Sequence, residues 1–166
     1  MMRCVLISIK PKWCELIACG KKTIEVRKNK PKLEPPFKCY IYETKTKGHY
    51  SGFHENTTGK VIGEFVCDRI LDILISCVDP DIKGLPFPCT GLTDMEIMDY
   101  LGNGVTGYGW HISDLVIYDK PKELREFHKV GYSKIKGSVY GWTYEEEESW
   151  QTSRPPQSWC YVEECK

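Results

Sequence analysis

Between Gly20 and Lys32 the chain reads GKKTIEVRKNKPK, which sets one carboxylate, Glu25, among Lys21, Lys22, Arg27, Lys28, Lys30 and Lys32. Ile24 and Val26 alternate with Thr23, Glu25 and Arg27, the period of two of a strand with one polar face. On such a strand Glu25 and Arg27 stand about 6.5–7 Å apart, and Lys22 precedes them at the turn, so the three ionic heads can meet. Glu25 can then hold Lys22 or Arg27 in one orientation and leave a cation aimed at an anionic or carbonyl group of a ligand. It can also act as a general base or accept the exocyclic amine of a nucleobase. A third reading is an ion-pair ladder on an exposed strand, which contributes little to stability. Residue types alone leave the three open.

Aromatic side chains beside a cationic cleft can stack a base. Trp13 lies just before the motif, and Tyr108, Trp110 and Trp159 lie in later segments. Trp110, after a Gly-Tyr-Gly run, is the candidate cleft wall, and its neighbour His111 is a candidate acid or base, since histidine titrates near neutral pH. Each also has an ordinary reading as a core or edge residue. Lys10 and Lys12, with Lys21, Lys28, Lys30 and Arg154, are candidate phosphate contacts. No Ser/His/Asp set and no phosphate-binding loop is present, and GNGVTGYG does not follow a strand and open a helix as a dinucleotide fingerprint requires. Nothing calls for a cofactor.

The elements that position these groups are short. CVLISI at residues 4–9 reads as a buried strand. Pro11 then opens a helix carrying Trp13, Leu16 and Ile17, closed by Gly20. TIEVRK and KCYIYET read as strands on either side of a proline-rich connector. KGHYSGFHENTTGK reads as a polar loop, and KVIGEFVCDRILDIL as one long β segment bent at Gly63. Residues 80–92 are rich in Pro and Gly, and LTDMEIMDYLGNG reads as a helix with Thr93 as N-cap and Glu96 three residues on. GYGWHISDLVIYDKP is a further strand ending before Pro121, KELREF a helical turn, residues 128–158 loop-like with the rigid RPPQSW, and SWCYVEE a last strand. Five or six strands with two or three short helices, and no repeat, predict an α+β, mainly β fold: a small mixed β-barrel forming one domain over residues 1–166.

A formal net charge of zero argues against a nucleic-acid binder that works through bulk charge. The balance is uneven, however: residues 1–38 hold ten Lys or Arg against three acidic residues, leaving thirteen against twenty for the rest. That is the footprint of a local anion site on a neutral protein. MMRCVLISIKPKW lacks the apolar run of an export signal, and no window is long and apolar enough to span a membrane, so a cytoplasmic, soluble protein with reduced thiols is expected. The pairs Cys14/Cys19 and Cys160/Cys165 have spacings that do not converge on helix or strand, so no metal site is expected.

Gly20, Lys22, Glu25 and Arg27 fit the pattern G-x-K-x-x-E-x-R, and with the preceding SIKPKWCELIACG they resemble the ASCH family of the PUA-like superfamily. KVIGEFVCDRI and GYGWHISDL extend the resemblance more loosely. It implies a PUA-like barrel with RNA, a nucleotide or a modified nucleoside bound in a cleft beside it, through Lys22, Glu25 and Arg27. It also carries an alternative as a hydrolase, either an N4-acetylcytidine amidohydrolase or a ribonuclease, with Lys22 and Glu25 as the catalytic candidates. The deacylating group pairs its lysine with a threonine three residues on, where this chain has Glu25, so binding is the leading expectation and hydrolysis the second. A protein-interaction module is the third.

Overall fold

A computed structural model of the chain describes residues 3–45, 58–74, 87–102, 106–135 and 144–165. The loop read at 47–60 and the Pro/Gly-rich stretch at 80–92 fall largely outside these residues.

Strand β1 (Arg3–Ile9) is the centre of the fold, buried on both faces from Cys4 to Ile9 as its continuous apolar run requires. It pairs parallel with β3 (Phe37–Glu43) and antiparallel with β10 (Trp159–Glu163). The order is completed by β4 (Val61–Cys67) and β7 (Ser113–Lys122) beyond β3, and by β8 (His128–Ile135) and β9 (Tyr144–Gln151) beyond β10. A second sheet holds β2 (Ile24–Arg27), β6 (Thr106–His111) and β5 (Ile70–Leu74), with β6 in the middle. Between β1 and β2 runs helix α1 (Pro11–Ala18), and two more helical pieces, α2 (Phe87–Thr90) and α3 (Asp94–Leu101), precede β6.

The fold is therefore α+β and mostly strand, but the hydrogen bonds do not close it into the expected barrel. Two segments read as single strands are each bent into two, β4 to β5 at Asp68–Arg69 and β6 to β7 at Ile112, so the chain crosses between two open sheets. The space between them is filled by Val5, Ile7, Ile9, Cys39, Ile41 and Phe65 from the large sheet, Trp110 from the small one, and Cys14 and Ile17 from α1. A second cluster, including Leu6, Tyr40, Phe127 and Val162, covers the other face of the large sheet, and α3 lays Ile97 and Leu101 on Val26 and Ile73 of the small one.

Residues 128–158, expected to be loop-like, instead carry the β8–β9 hairpin. The acidic run there masks the alternation that signals a strand, because an outermost strand needs little apolar content. Strand β7 continues through Pro121 because it is also an outermost strand, where proline costs no ladder bond. Gly63 does sit at an irregularity, where the β4–β7 register shifts and a Cβ would lie 2.4 Å from the Val116 carbonyl oxygen. Helix α3 has the expected capping box: Glu96 N–H donates to Thr93 Oγ1 (3.2 Å) and Thr93 N–H to Glu96 Oε2 (2.9 Å).

Candidate functional site

Gly20 ends α1 at φ +75°, a left-handed conformation that glycine adopts without the Cβ clash other residues meet. The turn it makes brings Lys22 back beneath the helix, where its N–H donates to the Leu16 carbonyl (2.9 Å). Lys22, Glu25 and Arg27 are then only 2%, 6% and 7% exposed, which rules out the exposed ion-pair ladder. Arg27 Nη2 lies 2.8 Å from Glu25 Oε1, and Lys22 Nζ lies 3.1 Å from Glu25 Oε2. The three charges meet with a net excess of one positive charge.

One local and several long-range contacts fix the geometry. Lys22 Nζ donates to the carbonyls of Ile24 (2.8 Å) and Thr90 (2.6 Å), while Arg27 donates from Nη2 to the Ser8 carbonyl (2.7 Å) and from Nη1 to Ser158 Oγ (3.3 Å). Ser8 Oγ in turn donates to the Pro156 carbonyl (2.6 Å), so the C-terminal RPPQS segment is pinned against β1 and Arg27. Among the described residues, Glu25 Oε2 and Arg27 Nε are buried with no hydrogen-bond partner. The Lys22 contact to Oε2 is thus an ion pair, not an aligned hydrogen bond. Unmet polar capacity of this kind, on charged groups, is costly in a protein interior.

These side chains line a cavity of about 280 Å³ together with Ser8, Lys10, Trp13, Val26, Tyr100 and Gln157. Trp13 is half-buried, with Lys22 Nζ 5.5 Å and Lys12 Nζ 4.3 Å from its ring centre. Tyr100 of α3, 38% exposed, has Lys28 over its ring at 5.4 Å. Of the groups singled out in the sequence, Lys10, Trp13, Lys22, Glu25 and Arg27 come together here.

Lys12, Trp110 and His111 do not line the cavity. Lys12 reaches Glu96 of α3 instead (3.6 Å). Trp110 is fully buried, with its ring centre 5.8 Å from that of Phe37 and 5.9 Å from that of Trp159, a core residue and not a cleft wall. His111 points to the opposite face of β6, as the next residue on a strand must, and its Nδ1 lies 2.6 Å from Asp68 Oδ1. The cavity lies along β2, whose partner on one side is β6; residues deeper in the sheet do not reach it. Ser8, Thr90, Tyr100, Gln157 and Ser158 had no signal in the sequence: Ser158 is 131 residues from Arg27, and serine and threonine carry no distinctive spacing.

Cys14 is buried and Cys19 exposed, and no group of residues suited to a metal ion occurs among the described residues. Burial pushes the Cys67 thiol up to about 12 and moves Cys14 further, which keeps both protonated and unreactive.

The family model of the ASCH domain matches residues 7–79, the segment that contains α1, the triad and the strands after it. That segment is similar to an ASCH domain. Solved structures agree with this domain's fold beyond the matched segment. A crystal structure of ASCH from Zymomonas mobilis superposes with a TM-score of 0.61 at 17% identity, covering 96% of this chain and 87% of that one. Tyrosine-to-phenylalanine and serine-to-alanine mutants of the same protein give TM-scores of 0.61 at 16% and 18% identity, covering 96% of this chain and 89% and 87% of theirs. No curated protein matches the chain in sequence. Among the described residues, no helix is long and apolar enough to cross a membrane.

Proposed function

We propose that the cavity binds one nucleotide unit, free or at an exposed single-stranded position of RNA. Arg27 meets an anionic or carbonyl oxygen of the ligand, Lys10 supplies charge at the rim, and Trp13 and Tyr100 lie against the base. The observation that carries this reading is the buried triad with its excess positive charge, set in the wall of a cavity just below the usual range for small-molecule sites. Buried excess charge is costly, and an anionic or carbonyl oxygen would offset it.

The same geometry favours binding over hydrolysis. Lys22 spends two of its three N–H groups on main-chain carbonyls and lies in ion-pair contact with Glu25, which suits a fixed charge and not a nucleophile. Glu25 accepts Arg27 on one oxygen and faces Lys22 with the other, which suits an orienting carboxylate.

The test is calorimetric titration of wild type and Arg27→Gln with nucleoside monophosphates and short single-stranded RNAs, followed by chromatography of the recovered ligand. Binding by wild type, weakened at least about tenfold in the variant, with the ligand recovered intact, is the expected result. A ligand recovered cleaved or deacylated would instead support the hydrolase. Absence of binding to every compound would leave the cavity without the assigned role.

A further inference from the structure

The register of the small sheet turns one main-chain donor and acceptor of β2 away from β6, on a residue that lines the cavity. His111 N–H donates to the Arg69 carbonyl on the β5 side, and Ile112 N–H donates to the Thr23 carbonyl on the β2 side. With Glu25 opposite Trp110 and Arg27 opposite Tyr108, Glu25 and Arg27 are therefore the β2 residues whose N–H and C=O face β6. Ile24 and Val26 turn theirs to the other edge, and the Ile24 carbonyl is indeed there, accepting from Lys22 Nζ. Val26 lines the cavity, and no partner meets its N–H or C=O on that edge among the described residues.

We infer that the cavity reads a planar ligand edge carrying adjacent donor and acceptor through the N–H and C=O of Val26. This inference rests on the nucleotide reading and specifies how the base is held. In an antiparallel ladder a residue exchanges both bonds with the residue opposite; here the Watson–Crick edge of a base takes the place of that residue. An added peptide strand is disfavoured at this edge, because Lys22 already occupies the Ile24 carbonyl and a cavity of about 280 Å³ has room for one planar group. The site so built selects against ligands that offer only a phosphate or a sugar. Arg27 and Val26 divide the work, the side chain neutralising charge and the main chain reading the base.

The test uses the full ¹⁵N-labelled chain with uridine 5′-monophosphate, its N3-methyl derivative and ribose 5-phosphate. Uridine monophosphate should shift the Val26 amide resonance and slow its exchange with solvent. The N3-methyl derivative, which lacks the donor, should bind about tenfold more weakly or worse, and ribose 5-phosphate should be weaker than uridine monophosphate. Ribose 5-phosphate binding as tightly as the nucleotide, or the nucleotide binding with the Val26 amide unmoved, overturns base reading while leaving a nucleotide-phosphate site in place. No binding by any of the three overturns this inference, whereas the nucleotide reading falls only if the wider titration with the other nucleoside monophosphates and RNAs also shows none.

Discussion

Glu25 holds two buried cations at once, so its removal should be felt first as lost stability. Glu25→Gln leaves Lys22 and Arg27 without their counter-charge in a buried site, and urea unfolding should show a loss of about 3–5 kcal/mol. Lys12→Ala, which breaks the exposed pair with Glu96, should leave the unfolding midpoint unchanged within error. An equal effect of the two substitutions would contradict the burial argument. Much of this triad was legible in the sequence, because period-two alternation puts Glu25 and Arg27 on one face and Gly20 sets the turn that returns Lys22. Its burial was not, since the residues that enclose it, Ser8, Thr90 and Ser158, come from distant parts of the chain. Trp110 and His111 looked like site residues because a glycine-flanked aromatic beside a histidine resembles a cleft wall, but the pairing of β6 places one in the core and the other at the corner.

The elements around the site depend on two bent strands. Where β4 passes toward β5, Asp68 meets His111 just before β6 bends into β7, so one contact ties both corners. Partial burial pushes the Asp68 carboxyl up, but the hydrogen bond and charge of His111, with Arg69 beside it, outweigh this and hold it below its ordinary value of 3.8. A carboxyl depressed in the folded state stabilises the fold above its unfolded pKa, and that stabilisation is lost as pH falls through the folded value. Urea midpoints should therefore decline from about pH 5 downwards, and Asp68→Asn should flatten that decline. Within β4, at the register shift against β7, Gly63→Val places a side chain against the Val116 carbonyl and should cost about 1–3 kcal/mol in unfolding experiments. Trp110→Ala should cost about 3–5 kcal/mol as a core cavity. The strands and helix caps were readable from propensity and capping residues, whereas the bends were not. A strand that changes sheets keeps the same apolar content on both sides of the corner, and nothing in KVIGEFVCDRILDIL marks where one sheet ends.

At the scale of the whole molecule, a neutral chain divides into a basic N-terminal quarter and an acidic remainder. On the proposed reading, such a chain would attract nucleic acid only locally, with few phosphates neutralised. For a short single-stranded RNA contacted by Arg27 and Lys10, the logarithm of affinity should fall against the logarithm of salt with a slope of about −1.4, from about −0.7 per phosphate. A slope several times steeper would mean an extended charged surface in place of a cavity. The most direct measurement is a crystal structure of the protein with a nucleoside monophosphate. The expected result is the base between Trp13 and Tyr100 against β2, with a ligand oxygen on Arg27. The contradicting result is an ordered nucleotide bound elsewhere while the triad keeps only its protein contacts, which would make Lys22, Glu25 and Arg27 a structural ion cluster.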